Sequence, residues 1–164
     1  MNILRVIDTV DGTTVDGIGF RTSIYFAGCR HKCPGCHNPS TWDFAAGCDM
    51  SIEELMAIIT KNDMDVTFSG GDPIFQAEAL LPLAKEIAKS GKTIWCYTGF
   101  TYEQLLTMPH ASELLDYIEV LVDGRFIEQL RDTSLLFRGS SNQRLIDVKA
   151  TRRSGKIVEW VSDF

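Results

Sequence analysis

Short apolar segments typical of β-strands alternate with helical segments along most of this chain, and this alternation limits the folds it can adopt. The strand-like segments are residues 3–7, 23–28, 65–69, 93–97 and 118–122. The helical segments are residues 51–62, 77–90, 102–106 and 112–117. Such an alternation predicts βαβ units and a parallel sheet. A complete eight-unit barrel needs about 250 residues. Because this chain has 164, we expect an α/β fold in the form of a partial, open β/α barrel.

The end of the chain departs from this alternation. Residues 144–150 and 156–161 have the pattern of two strands, and Arg153-Ser154-Gly155 between them has the composition of a turn. Two strands joined by a short turn that contains glycine predict a β-hairpin. The sequence has no repeat, low-complexity tract or linker. We therefore expect a single domain over residues 1–164 that ends in a C-terminal β-hairpin.

Four loops with polar, cysteine or glycine residues each follow a predicted strand. They are a cysteine-rich loop that begins at Cys29, Gly70-Gly71-Asp72, Thr98-Gly99 and Asp123-Gly124. In open parallel sheets, ligands bind beyond the carboxyl ends of the strands. If the strands are parallel, these four loops share one edge of the sheet, which is where we expect the functional site.

The cysteine-rich loop contains the most specific chemical signal in the chain. Cys29, Cys33 and Cys36 lie within eight residues, with three and then two residues between them. Three thiols at this spacing indicate a metal site or thiol chemistry. A cubane iron–sulfur cluster usually takes four protein thiolates, one for each iron. Three cysteines would leave one iron open to a small molecule, and an open metal position is typical of a catalytic site.

A structural zinc site is the main alternative for this loop, and it would make the protein a binding module without catalysis. Its ligands would be Cys29, Cys33 and Cys36 with His31 or His37. Structural zinc sites usually take two ligands from one short segment and two from a distant one, whereas all these candidates lie in one segment. The residues alone therefore favour an iron–sulfur cluster over zinc but leave both open.

Composition limits the compartment and the partners. The chain has five cysteines, an odd number, and three of them are in one loop. This pattern argues against a secreted disulfide framework and for metal binding in a reducing compartment. The N-terminus lacks the apolar core of a signal peptide, and no apolar stretch is long enough to span a membrane. The formal net charge of −6 argues against nucleic acid as a partner. We expect a cytoplasmic protein that binds neither nucleic acid nor a membrane.

The Cys-x3-Cys-x2-Cys loop after a buried strand resembles the signature of the radical S-adenosylmethionine (SAM) superfamily. Further segments are similar to its glycyl-radical-activating branch, and in particular to the activating enzymes of anaerobic ribonucleoside-triphosphate reductases. These segments are residues 16–22, 33–42, 69–73, 97–100, 120–126 and 138–144. The sequence differs from the usual pattern at Gly35, where many superfamily members have an aromatic residue, at His37, where tyrosine is common in these activases, and at Asp72, where glutamate is common.

The resemblance implies a partial barrel of the radical SAM type and a definite chemistry. Cys29, Cys33 and Cys36 would bind three irons of a [4Fe–4S] cluster, and the fourth iron would bind the amino and carboxylate groups of SAM. The residues implied to contact SAM are Gly35, Cys36, His37, Gly70, Gly71 and Asp72, with Asp72 accepting a hydrogen bond from the ammonium group. Reductive cleavage of SAM would give a 5′-deoxyadenosyl radical, which would take a hydrogen atom from a glycine of the reductase. No catalytic side chain is assigned. The alternatives are an activase of another glycyl-radical enzyme and a small-molecule radical SAM enzyme.

A basic patch lies inside the cysteine-rich loop. Arg30, His31 and Lys32 follow one another in a chain that is acidic as a whole. Opposite charges on two proteins favour their association. We expect this patch to bind an acidic electron donor such as a flavodoxin.

Overall fold

The computed structural model describes residues 3–36 and 39–162, and these residues form one sheet with helices. The strand order across the sheet is β3-β1-β2-β4-β5-β6-β7. The strands are β1 (Ile3–Thr13), β2 (Arg21–Phe26), β3 (Cys48–Ser51), β4 (Asp65–Gly70), β5 (Ile94–Tyr97), β6 (Val120–Asp123) and β7 (Arg144–Asp147). The predicted α/β class is confirmed, and the sheet is open because β3 and β7 are its two edges.

The middle of the sheet is parallel and its borders are antiparallel. Strands β2, β4, β5 and β6 pair in parallel, while β1 and β3 on one side and β7 on the other pair antiparallel to their neighbours. The helices are α1 (Ile52–Asn62), α2 (Ala77–Lys89), α3 (Tyr102–Leu105), α4 (Pro109–Leu114) and α5 (Val148–Ser154). Helices α1 to α4 lie in the crossover connections between the parallel strands, as the alternation in the sequence predicts. No helix in the described part of the chain has both the length and the apolar character needed to cross a membrane.

Local sequence signals account for the start of α1. The side chain of Ser51 accepts a hydrogen bond from the backbone N–H of Glu54, and its hydroxyl donates to the Glu54 carboxylate. The first of these two bonds is the N-cap contact that serine typically makes at the start of a helix. Asp63 ends the helix in a left-handed conformation. The helix therefore starts and stops where local chemistry alone requires it.

The two faces of the sheet carry different clusters. In β5, Ile94 and Cys96 belong to the main core against the helices, whereas Trp95 packs on the opposite face. Trp95 there contacts the rings of Phe137 and Trp160 edge-on and lies under the guanidinium group of Arg21. Because successive strand residues point to opposite faces, one short strand contributes to both clusters.

The predicted C-terminal hairpin is wrong from residue 148 onwards. The strand ends at Asp147, and residues 148–154 form α5 instead of continuing it. The Asp147 side chain accepts a hydrogen bond from the backbone N–H of Ala150, and Gly155 ends the helix with a positive φ. These two caps favour a helix at this position. Residues 156–161 return beside β7 but pair with it only through an isolated bridge between Ile146 and Glu159.

Candidate functional site

The loops at the carboxyl ends of the four parallel strands surround one pocket of about 690 Å³. Each of these strands is followed by at least one residue of the pocket wall, as expected for the ligand-binding edge of a parallel sheet. The pocket residues from these loops include Cys29, Cys33, Cys36, Gly70, Gly71, Thr98, Gly99, Gly124 and Phe126. The shared edge that the sequence predicts is therefore present in the structure.

A short return segment holds the first part of the cysteine-rich loop in place. The backbone N–H of Gly28 donates to the carbonyl oxygen of Thr41 at 2.7 Å, and that of Cys29 donates to the carbonyl oxygen of Trp42 at 3.2 Å. The first of these acceptors, Thr41, is the last residue of a 3₁₀ turn, Pro39–Thr41. The loop is thus tied to its own return segment directly beside the first cysteine.

Two of the three thiols combine partial burial with backbone hydrogen bonds. Burial raises the pKa of Cys29 to about 11, against the opposing effect of a hydrogen bond from the backbone N–H of His31. Burial also raises the pKa of Cys33, against a hydrogen bond from the backbone N–H of Phe126 and the charge of Arg125. Both thiols are therefore protonated at neutral pH, and metal binding must displace their protons. The influence of these two backbone N–H groups on the pKa favours the thiolate forms that ligation would require.

Three cysteines that line one pocket are a donor set that fits a [4Fe–4S] cluster. In residues 3–36 and 39–162, no three His, Cys, Asp or Glu side chains are grouped closely enough to hold one metal ion. A cubane cluster does not need such a group, because each iron takes its own thiolate. The other two cysteines do not line the pocket: Cys48 is exposed on β3, and Cys96 is buried in the core.

The Gly70-Gly71-Asp72 turn is joined to the end of β2 by backbone hydrogen bonds. The N–H of Gly71 donates to the carbonyl oxygen of Phe26, and the N–H of Asp72 donates to that of Gly28, each at 2.8 Å. A Cβ atom on Gly71 would lie 2.5 Å from the Gly28 oxygen, which is closer than atoms can approach. Only glycine allows this contact, and both Gly70 and Gly71 line the pocket.

Asp72 lies behind the pocket wall rather than on it. Its side chain is 1% exposed, and it is not among the residues that line the pocket. Its Oδ1 accepts a hydrogen bond from the backbone N–H of Ile74, and its Oδ2 accepts from His31, Thr98 and the backbone N–H of Gly99. The direct contact with an ammonium group stays a prediction, whereas the contacts present join three loops.

Two other predicted SAM contacts are Gly35 and His37. Gly35 is exposed and does not line the pocket, and a Cβ atom added to it would lie 3.0 Å from the carboxyl carbon of Glu128. His37 lies outside the described residues. The roles of Gly35 and His37 remain predictions.

The segment between β6 and β7 contributes pocket residues to which the sequence assigned no role. Tyr97 donates a hydrogen bond to the carbonyl oxygen of Phe137 at 2.7 Å, which holds residues 135–139 across the pocket. Arg138 lines the pocket, and its Nε atom is buried with no hydrogen-bond partner among the described residues. The resemblance of residues 138–144 drew attention to this segment, but it did not indicate which side chain faces the pocket.

Comparisons with known proteins agree with this geometry. A family model described as a 4Fe-4S single cluster domain matches residues 15–146. The crystal structure of QueE from Escherichia coli has a similar fold, with a TM-score of 0.51 and 21% identity over 60% of this chain and 54% of that one.

Curated relatives cover most of the chain. The anaerobic ribonucleoside-triphosphate reductase-activating protein of Haemophilus influenzae is 36% identical over 155 residues, which is 87% of this chain and 96% of the relative. The protein of the same name from Escherichia coli K12 is 38% identical over 79% of this chain and 89% of its own. The relative from enterobacteria phage T4 is 34% identical over 80% and 86%. The chain therefore belongs to the 4Fe-4S single cluster domain family and, within it, to the anaerobic ribonucleoside-triphosphate reductase-activating proteins.

Proposed function

We propose that this protein is an iron–sulfur enzyme that reductively cleaves SAM and installs a glycyl radical on an anaerobic ribonucleoside-triphosphate reductase. The observation that carries the proposal is the pocket that three cysteines share with the Gly-Gly turn at the ends of parallel strands. Its volume of about 690 Å³ lies in the range usual for sites that bind small organic ligands. Family membership and the match to an activating protein over 87% of this chain support the same reaction.

Cys29, Cys33 and Cys36 bind three irons of the cluster in this proposal, and the fourth iron is left for SAM. When bound, the reduced cluster supplies the electron that breaks the bond between the sulfonium and the 5′ carbon of SAM. Gly70 and Gly71 let the backbone approach the methionine part of SAM closely, because they have no side chains. Gly35, Cys36 and His37 remain the proposed neighbours of the nucleoside part. The chain thus binds and orients the cofactors, while the pocket wall restricts access of water to the reactive species.

The open sheet is, in this proposal, a partial β/α barrel of the radical SAM type, and residues 1–164 form one domain. The strand order β2-β4-β5-β6 with helical crossovers supports this architecture, as does the likeness in fold to QueE. The cytoplasmic location expected from the cysteine content stays a prediction.

The direct test is radical transfer. The protein is reconstituted with iron and sulfide under anaerobic conditions and incubated with SAM, a reductant and the anaerobic reductase of the same organism. We expect 5′-deoxyadenosine in the solution and a carbon-centred doublet in the electron paramagnetic resonance spectrum. The matched control is Cys33→Ala, which should give neither.

Different failures of this test have different meanings. If 5′-deoxyadenosine forms but no doublet appears on the reductase, the chemistry is correct and the partner is another glycyl-radical enzyme or a small molecule. Metal analysis of anaerobically purified protein tests the chemistry itself. One zinc per chain and no iron would refute the enzyme and leave the zinc-binding module.

The electron donor in this proposal is an acidic protein such as a flavodoxin, which docks on the exposed side chains of Arg30 and Lys32. Arg30 is exposed and its guanidinium group lies 5.1 Å from the ring centre of Phe44, which presents the charge at the surface beside Cys29. Substituting both residues with Glu should slow reduction of the cluster by flavodoxin but not by dithionite. The control is the same double charge reversal at Lys149 and Arg153 of α5, neither of which lines the pocket. Equal slowing with both reductants would refute the docking site.

A further inference from the structure

The carboxylate of Asp72 is saturated with hydrogen bonds from the protein itself. Its Oδ2 atom accepts from His31 Nε2 at 2.7 Å, and from Thr98 Oγ1 and the backbone N–H of Gly99 at 2.9 Å each. Its Oδ1 atom accepts from the backbone N–H of Ile74 at 3.0 Å. Because a carboxylate offers about four acceptor sites and this side chain is 1% exposed, Asp72 presents no free oxygen to a ligand in the pocket.

The neighbouring strand ends fix the position of this carboxylate. The Thr98 hydroxyl donates to Asp72, since a carboxylate can only accept, and it accepts in turn from the backbone N–H of Phe100 at 3.1 Å. The backbone N–H of Thr98 donates to the carbonyl oxygen of Val122 in β6 at 3.0 Å. Asp72 is therefore tied to the edge of the sheet and does not depend on the cysteine-rich loop for its position.

The ring of His31 reaches this carboxylate from the cysteine-rich loop. His31 lies midway between Cys29 and Cys33 in the chain, and its side chain is only 5% exposed. The ring centre lies 4.6 Å from that of Phe100. A Cβ atom on Gly99 would lie 2.5 Å from the ring, so the absence of a side chain there leaves the space that the ring fills. The His31–Asp72 contact thus joins the middle of the cysteine spacing to the sheet edge.

We propose that Asp72 is a positioning residue that holds the cysteine-rich loop against the sheet edge through His31, instead of accepting a hydrogen bond from the SAM ammonium group. This inference rests on the proposed function, since the task of the loop is to hold the cluster. Three thiolates must meet at one cluster, and a loop that is already ordered reduces the conformational entropy that ligation would otherwise cost. Loss of the His31–Asp72 contact should therefore speed the loss of iron.

Amide hydrogen exchange on the metal-free protein measures this contact without the cluster. The backbone N–H groups of Gly28, Cys29 and Cys36 donate hydrogen bonds within the loop and to its return segment, so their exchange reports opening of the loop. We expect His31→Ala to speed exchange at these three amides by about 10-fold or more, because a hydrogen bond to a charged group is lost. Exchange in α1 should be unchanged, which would show that the fold is intact.

Two further substitutions separate the hydrogen bond from simple packing. His31→Leu fills the buried space but has no donor, whereas His31→Gln retains a side-chain N–H that can reach towards Asp72. We expect His31→Gln to stay closer to the wild type, both in loop exchange and in the rate at which a chelator removes iron, and His31→Leu to resemble His31→Ala. If the ring only filled space, this order would be reversed. The matched control is His110→Ala, which removes an exposed histidine on α4 and should change neither rate.

The SAM affinity of iron-loaded protein tests the direct contact. Asp72→Asn keeps an acceptor oxygen for His31 but removes the negative charge. If Asp72 acts through His31, calorimetry should find that Asp72→Asn binds SAM no more weakly than His31→Leu does. If Asp72 accepted from the ammonium group, Asp72→Asn would bind SAM about 10- to 100-fold more weakly than His31→Leu, because a hydrogen bond between charged groups would be lost.

Three outcomes would overturn the inference. They are unchanged loop exchange in His31→Ala, slower loop exchange in His31→Leu than in His31→Gln, and SAM binding to Asp72→Asn that is weaker than to His31→Leu by about 10-fold or more. If His31→Leu holds no iron while His31→Gln does, the contact is supported directly. Failure of the proposed function would look different: wild-type protein without iron or without SAM cleavage refutes it, whereas the exchange of the metal-free variants still tests the His31–Asp72 contact.

Discussion

The substitution Gly71→Ala tests whether the close contact between the Gly-Gly turn and the cysteine-rich loop is essential. The added Cβ would lie 2.5 Å from the Gly28 oxygen, 2.8 Å from the Gly28 carbonyl carbon and 2.8 Å from the Thr41 oxygen. All three are backbone atoms, so none can move away by rotating a side chain. Overpacking of this kind typically costs about 1–3 kcal/mol, and three simultaneous backbone clashes favour the upper end of that range.

Two other contributions to the free energy of unfolding are small. Gly71 does not have a positive φ, so its backbone conformation does not disfavour alanine. The substitution also makes the unfolded chain less flexible, which stabilises the folded protein by about 0.4–1 kcal/mol. The net expectation is a loss of about 2 kcal/mol. For a chain of this size, that corresponds to a melting temperature lower by about 4–8 °C.

The assay is urea unfolding of the metal-free protein, followed by circular dichroism. The control is Gly12→Ala, where φ is +71° and no atom lies within 4 Å of the new Cβ. In that variant, the left-handed conformation of alanine costs about 1–2 kcal/mol of stability. The more restricted unfolded chain offsets part of this cost, as it does at Gly71. We expect Gly71→Ala to be the less stable of the two and also to bind SAM more weakly after reconstitution. A Gly71→Ala protein within 0.5 kcal/mol of the wild type would refute the reasoning.

Three further substitutions test the site and its support. Cys33→Ala should abolish the absorbance of the cluster in anaerobic reconstitution, while Cys96→Ala, in the core, keeps it; wild-type iron content in the Cys33 variant would show that the ligand set is incorrect. Arg138→Met removes a cation of the pocket wall whose Nε atom has no hydrogen-bond partner among the described residues. Because a hydrogen bond from a charged group contributes about 1.5–3 kcal/mol, calorimetry should find SAM binding weaker by about 10- to 100-fold; unchanged affinity would show that Arg138 does not contact SAM. Arg144→Met leaves the buried carboxylate of Asp123 without the guanidinium contacts at 2.5 and 3.0 Å and should destabilise the protein by about 2–4 kcal/mol. Adding Asp123→Asn should restore part of the lost stability. Urea unfolding measures both variants, and a loss below about 0.5 kcal/mol for Arg144→Met would contradict the prediction.

The helices and strands of the parallel core could be predicted because their signals are local. The capping sequence at Ser51 and the apolar run of β4 each indicate their own element without reference to the rest of the chain. The C-terminal segment was mispredicted although its caps at Asp147 and Gly155 are also local signals. Residues 148–150 look like a continuation of the strand, and only the cap from Asp147 and the returning residues 156–161 make a helix the better solution.

The candidate site was predictable where chain spacing alone brings groups together. Cys29, Cys33 and Cys36 are neighbours in sequence, so their shared role could be predicted from one short loop. Asp72 was different. The sequence predicts a carboxylate at the end of a strand, but the partners of that carboxylate are 26 and 41 residues away, at Thr98 and His31.

The sequence by itself determined the element types of the parallel core, the cysteine spacing and the glycine turn, because each depends on interactions within a few residues. The tertiary structure decided which loops meet, that the Asp72 carboxylate faces inward to His31, and that Arg138 faces the pocket. These outcomes depend on the order of strands in the sheet, and that order is fixed by the packing of helices and strands that are distant in the chain.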